Sequence, residues 1–248
     1  MPFPDGFLWG CSTAAYQVEG GNDRSNWAAW ERKKRLEPCA DAAKSWELWR
    51  EDIRALQDLH ANAYRFSVEW SRVEPNPGEF DEAALERYVL QARALRLAGI
   101  KPLVCLHHFS EPAWLYERHP KGWLSDAPLE PFLRFTERVA TALRGEVTDW
   151  LTFNEPMVWL LFGYGLGFWP PGFVRTFSLE RTFLKNGLVD RVAKAHNEAY
   201  RILKSAVPGA RISLAQNVVD LEPARARVDD LAAVASAKPF SVTIRGRP

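Results

Sequence analysis

Short runs rich in β-branched and aromatic residues alternate along this chain with longer segments in which apolar positions recur every three or four residues. The short runs fall at 6–14, 62–70, 101–109, 147–154 and 210–218, and the helical segments at 42–59, 81–98, 128–143 and 188–205. In the first helical segment Trp46, Trp49, Ile53 and Leu56 share one face, and Asp41 stands where a cap would be. In the second, Asp81 occupies the N-cap position, acidic residues fill the first turn and Gly99 closes the end. Strand and helix in repeated alternation predict an α/β fold with parallel strands and helices packed outside. Functional side chains in such folds gather at the C-terminal ends of the strands.

The spacing narrows the architecture. The strand starts lie roughly 50 residues apart, so eight such units would take about 400 residues, within the range of a (β/α)8 or TIM barrel with insertions. A chain of 248 residues holds about five of the eight units. An open five-stranded sheet would have much shorter connections. A partial TIM barrel is therefore expected over 1–222. After Glu222 the sequence offers a weak helix, a short strand-like run and a basic end. The segment 223–248 is expected to be an atypical tail, of the kind left by truncation, internal deletion or a shifted reading frame.

Composition removes several function classes. Lys plus Arg number 32 and Asp plus Glu 31, a balance that argues against a nucleic-acid or anionic-membrane partner. No run reaches the roughly 18 apolar residues of a membrane span, and the N-terminus shows no basic leader with an apolar core. The three cysteines, Cys11, Cys39 and Cys105, form no CxxC pair, so reduced thiols and a cytoplasmic location are expected. The eleven tryptophans change the picture more. Several stand beside charged or amide side chains, a pairing that suits the apolar faces and hydroxyl rims of sugars, although tryptophans filling a large core would look the same.

Four segments carry candidate chemistry. Trp150-Leu151-Thr152-Phe153-Asn154-Glu155-Pro156 ends a strand in an amide and a carboxylate, and Pro156 stops the ladder. Glu155 would then sit at the rim, where a carboxyl in a partly dry pocket can protonate a leaving oxygen; a carboxylate capping the next segment is the plainer reading. In Asn62–Arg72, alternation puts Arg65, Ser67 and Glu69 on one face. Arg65 could keep a neighbouring carboxylate ionised, or simply pair with Glu69. In Leu106-His107-His108-Phe109-Ser110-Glu111-Pro112 the adjacent histidines point to opposite faces, which disfavours a shared metal and favours a hydrogen bond from one of them to a ligand. The segment 12–20 brings Gln17, donor and acceptor in one side chain, to the end of the first strand.

Taken together, FPDGFLWGCSTAAYQVEG, YRFSVEWSR, the His-Phe pair before SEPAWL, and LTFNEP closely resemble family 1 glycoside hydrolases, the β-glucosidase family. The resemblance implies the N-terminal portion of a retaining glycosidase that cleaves terminal β-linked sugars without a cofactor or metal. It makes Glu155 the general acid/base, assigns Gln17, His108 and Asn154 to sugar hydroxyls, sets Arg65 beside the nucleophile and has Trp123 line the pocket. Asn217 would face the same cleft. One departure stands against these matches. The family's nucleophilic glutamate lies in a Thr-Glu-Asn-Gly-like segment, and nothing in 156–248 reads that way. Glu69, on the strand face of Arg65, and Glu19, in the first loop, could serve only as poor bases for direct attack by water. Activity of the chain alone is thus expected to be impaired. The alternative is a non-catalytic half-barrel that binds sugar, or associates with itself or another half-barrel through its open edge.

Overall fold

A computed structural model describes residues 3–174, 183, 186–217, 225, 227–229 and 232. The chain divides into two compact units, Met1–Ala215 and Gln216–Pro248. The first unit contains a five-stranded, wholly parallel sheet in the order β1-β2-β3-β4-β5. Its strands are β1 (Gly10–Ser12), β2 (Ala63–Ser67), β3 (Lys101–His107), β4 (Asp149–Asn154) and β5 (Arg211–Ala215). Neighbours in sequence are neighbours in the sheet, the winding of a barrel rather than of a doubly wound sheet, whose strand order reverses. A partial barrel is what the sequence pattern led one to expect.

Nine α-helices are formed among the described residues. They are α1 (Ala15–Val18), α2 (Asn26–Lys34), α3 (Ser45–Asp58), α4 (Trp70–Val73), α5 (Glu82–Leu97), α6 (Ala113–Arg118), α7 (Leu129–Ala142), α8 (Pro156–Leu160) and α9 (Leu188–Ala206). The long ones, α3, α5, α7 and α9, are the four that hydrophobic periodicity predicts. The core lies between them and the sheet: Leu85, Tyr88 and Ala92 of α5 and Phe132, Phe135 and Val139 of α7 meet Phe66, Val104, Leu106, Trp150 and Phe153. Trp70 stacks on Phe135 at 5.1 Å and tilts against Phe132 at 5.8 Å, tying α4 to α7. At α5 the expected cap is present, with Asp81 Oδ1 accepting the Ala84 N–H over 2.9 Å.

Two local expectations are corrected. Asp41 does not cap α3, which starts at Ser45 after Lys44 in a left-handed conformation; Asp41 instead pairs with Lys44 over 3.2 Å. The reason is that residues 40–43 bond to the loop after β1, through Gly21 N–H to the Ala40 carbonyl and Ala43 N–H to the Val18 carbonyl. Gly20 makes this docking possible: its φ is +79°, and a Cβ there would lie 2.2 Å from the Asp41 carbonyl oxygen. The second correction concerns the segment 62–70, whose strand ends at Ser67. Glu69 turns inward and caps α4 by accepting the Ser71 N–H at 3.3 Å, so no Arg65–Glu69 pair forms among the described residues.

Candidate active site at the C-terminal rim

Because all five strands run the same way, the segments leaving β1, β3 and β4 emerge at one end of the sheet. Gln17 follows β1, His108 follows β3, and Asn154 and Glu155 end β4. Arg65 rises from β2 between them and donates from Nη1 to Asn154 Oδ1 over 2.9 Å. Since β3 lies between β2 and β4, this bond reaches across a strand on the inner face of the sheet. Asn154 is only 4% exposed. With Oδ1 engaged by a cation, its Nδ2 is the group left to donate to a ligand hydroxyl.

Glu155 leaves the ladder abruptly. Its N–H still bonds the Ala215 carbonyl at 2.7 Å, but its φ is +44° and its ψ +57°. A left-handed conformation in a non-glycine residue costs roughly 1–2 kcal/mol, and here the neighbouring bonds hold it. Pro156 sits at the first position of α8, where its missing N–H costs nothing, and the Glu155 carbonyl accepts the Trp159 N–H at 3.1 Å. The carboxylate is thereby carried out of the sheet plane, half-buried at the rim.

His108 and His107 part company as alternation requires. His107 is fully buried, its ring 5.1 Å from Phe153 and 4.3 Å from Trp159, with Nε2 at 3.5 Å from Glu111. His108 is half-buried, and its Nδ1 has no partner among the described residues. Burial, then the Arg65 guanidinium, then His107 push its pKa down to about 3. It is therefore a neutral imidazole at working pH, suited to exchanging hydrogen bonds with a hydroxyl. Phe109, the next residue, has φ +68°, and its carbonyl accepts the Trp27 indole N–H at 2.8 Å. The two strained residues Phe109 and Glu155 end adjacent strands.

Gln17 is exposed on α1, a single turn fixed by the bond from Ala15 N–H to Ser67 Oγ at 2.7 Å. Trp123 is not on the open rim. It is 1% exposed, donates its indole N–H to Glu111 Oε1 at 2.6 Å, and packs edge-on against Phe132, Phe153 and Trp159. A buried carboxylate captures it into the core, which corrects its placement as a pocket wall. The aromatic surface at the rim comes from residues that sequence reasoning missed. Phe109 lies 5.0 Å from Trp169, which also contacts Trp27 at 5.7 Å and Phe162 at 4.8 Å, and Tyr16 stacks near Trp27 at 6.2 Å. Glu19 and Glu69 are both buried, each carboxylate taken up by protein donors. Asn217 is exposed and belongs to the second unit. Among the described residues no group of three or more His, Cys, Asp or Glu could hold a metal ion, and no helix is long and apolar enough to cross a membrane.

A parallel, sequentially wound sheet with an amide–carboxylate pair, a neutral histidine and an aromatic surface at its C-terminal rim is a partial (β/α) barrel of the enzyme type. The family model described as glycosyl hydrolase family 1 matches residues 1–244, and the chain belongs to that family. The cytosolic β-glucosidase of Homo sapiens is 31% identical over 261 residues, covering 100% of this chain and 55% of that protein. β-Glucosidase A of Thermotoga maritima is 29% identical, covering 94% of this chain and 52% of its own length. Among solved structures, the β-glycosidase from Pyrococcus horikoshii superposes with a TM-score of 0.85 at 34% identity, over 96% of this chain and 54% of that one. The chain thus spans about half the length of the relatives it matches.

Proposed function

We propose that this chain carries the acid/base half of a retaining β-glucosidase site. The observation that supports this best is the rim built by Arg65, Asn154 and Glu155, in which a cation fixes the amide and a strained turn presents the carboxylate. In the reaction, a carboxylate nucleophile attacks the anomeric carbon while Glu155 gives its proton to the departing glycosidic oxygen. Glu155 then takes a proton from the water that releases the sugar. Gln17, His108 and Asn154 hold glycone hydroxyls, and Arg65 keeps the nucleophile ionised. The two carboxyl groups must stand about 5–5.5 Å apart. Residues 156–248 contain no segment of the expected type and Glu19 and Glu69 are spent in the interior, so in this reading the chain supplies one carboxyl group of the two. The isolated chain therefore binds β-glucosides and turns them over poorly or not at all. The cytosolic relatives in Homo sapiens and Cavia porcellus support a cytoplasmic setting. The test is a ligand-observed NMR titration with methyl β-D-glucoside. Saturable binding lost in Asn154→Ala and weakened in His108→Ala supports the site; binding indifferent to both refutes it.

A second reading has its own support. Phe3, Phe7 and Trp9 form an exposed aromatic cluster with ring centroids 4.5–4.8 Å apart, immediately before the exposed edge strand β1. An apolar patch beside an unpaired strand edge favours association with another half-barrel or a second copy. Sedimentation showing only monomer at all concentrations would remove this reading.

A further inference from the structure

Beneath the rim lies a buried polar cluster for which the sugar chemistry has no direct use. Glu19, two residues past Gln17, is 5% exposed. The Tyr88 hydroxyl donates to its Oε1 over 2.6 Å and Arg72 Nε to its Oε2 over 3.2 Å. Arg72 also donates from Nη2 to the Gly20 carbonyl at 2.5 Å and to Asn22 Oδ1 at 2.6 Å, clamping the loop after α1. On its other side, the Tyr88 hydroxyl accepts the Glu69 N–H at 3.0 Å. The Glu69 carboxylate then accepts the hydroxyls of Ser71 at 2.6 Å and Ser110 at 2.8 Å. Ser110 is two residues past His108. A continuous line of bonds therefore runs from the loop of Gln17, through α5, to the turn of His108.

Such a line matters because neither end holds itself in place. The helix α1 that carries Gln17 has four residues, too few to be stable alone. The turn at His108 passes through Phe109 in a strained conformation. We propose that Glu19, Tyr88 and Glu69 are positioning residues that couple the Gln17 loop to the His108 turn, so that sugar affinity depends on them although none touches the sugar. The proposal rests on the reading of the rim as a sugar site. A buried network is stiff when every member is satisfied and costly when one joint is left open, so loosening one bond shifts the groups at both ends.

Charge gives the relay a signature. Burial pushes Glu19 up to about 7 against the opposing pull of Arg72 and the Tyr88 hydrogen bond, and burial raises Glu69 too. The charged and titratable groups facing Glu19 are Arg72, Tyr88, Glu69 and Arg87, with Asp52 of α3 lining the same small cavity. Below neutrality Glu19 takes a proton and its ion pair with Arg72 is lost, so sugar affinity rises between about pH 6 and pH 8. The contribution of Glu19 to stability moves the other way. The folded pKa is above the ordinary 4.5, so native Glu19 binds more proton than the unfolded chain, and its contribution to stability falls as pH rises from about 4.5 to about 7. A merely structural role would make affinity follow stability. His108, neutral throughout, does not contribute to the affinity change.

The test is an NMR titration of the full chain with methyl β-D-glucoside at both pH values. Wild type is compared with Glu19→Gln, Tyr88→Phe and Ser110→Ala, with Asn154→Ala beside them. Glu19→Gln mimics the neutral acid, so its affinity is expected to be flat with pH and about fivefold weaker than wild type at pH 8, the equivalent of one buried hydrogen bond. Ser110→Ala, a mild change at the far end, weakens binding by a similar factor while the fold persists by circular dichroism. Folded Glu19→Gln and Ser110→Ala variants that bind like wild type, with binding lost in Asn154→Ala, overturn the relay and leave the sugar site standing. No saturable binding by wild type, or binding unchanged in Asn154→Ala, overturns both.

Discussion

Replacing Arg65 by methionine removes the cation at the centre of the rim and leaves most of its volume. Asn154 Oδ1, now buried without its 2.9 Å donor, loses a charge-assisted bond. An orphaned buried acceptor of this kind costs about 1–3 kcal/mol. Part of that is offset, because Arg65 Nε is itself buried without a partner among the described residues and its removal relieves a desolvation penalty. A net loss of about 1–2 kcal/mol follows, read as a lower urea midpoint at unchanged slope. The same substitution acts on His108. Arg65 is the second cause, after burial, of the fall of that imidazole from 6.5 to about 3. Without it His108 titrates higher, yet still below the ordinary value, because burial remains. The unfolded chain binds a proton between about 3 and 6.5 that native His108 refuses, so stability rises with pH across that window, by about 5 kcal/mol as an upper bound. Arg65→Met should shrink this acid sensitivity. The assay is an imidazole NMR titration beside urea unfolding at several pH values. A His108 titration identical in wild type and variant would refute the placement of Arg65 against it.

Other outcomes follow from the same geometry. Trp123→Phe strips the 2.6 Å donor from buried Glu111 and is expected to cost about 1–3 kcal/mol in thermal or urea unfolding. It should leave methyl β-D-glucoside affinity at neutral pH unchanged; a lost affinity in a folded variant would return Trp123 to the pocket wall. Gly20→Ala forces a Cβ to within 2.2 Å of the Asp41 carbonyl at φ +79°, so the loss should exceed about 2 kcal/mol and free residues 40–43 to proteolysis. Equal stability would mean that the loop after β1 is not docked on Asp41.

Much of this molecule is legible in its sequence because its strongest signals are local. The four long helices repeat at 3.6 residues, and Asp81 and Gly99 mark the ends of α5 as expected. The end of β4 is legible because an amide and a carboxylate precede a proline that cannot extend the ladder. What was illegible depends on distant partners. The family resemblance sets Trp123 in the pocket wall until Glu111 is found to hold its indole. Asp41 reads as a cap until its neighbours are seen bonded to the loop at 18–21. Trp27 comes from α2 and Phe109 and Trp169 from two separate loops, and no spacing in one segment announces that they meet. The left-handed turn at Phe109 has no glycine to betray it.

In the proposed function this chain contributes the acid/base carboxylate of a two-carboxylate site and not the nucleophile. The most direct test of this is hydrolysis of an aryl β-glucoside by the purified, folded chain, measured beside Glu155→Gln. No turnover by wild type above that of the variant is expected. Turnover by wild type that disappears in Glu155→Gln would contradict it, because a second carboxylate would then have to be supplied by this chain or by another copy of it.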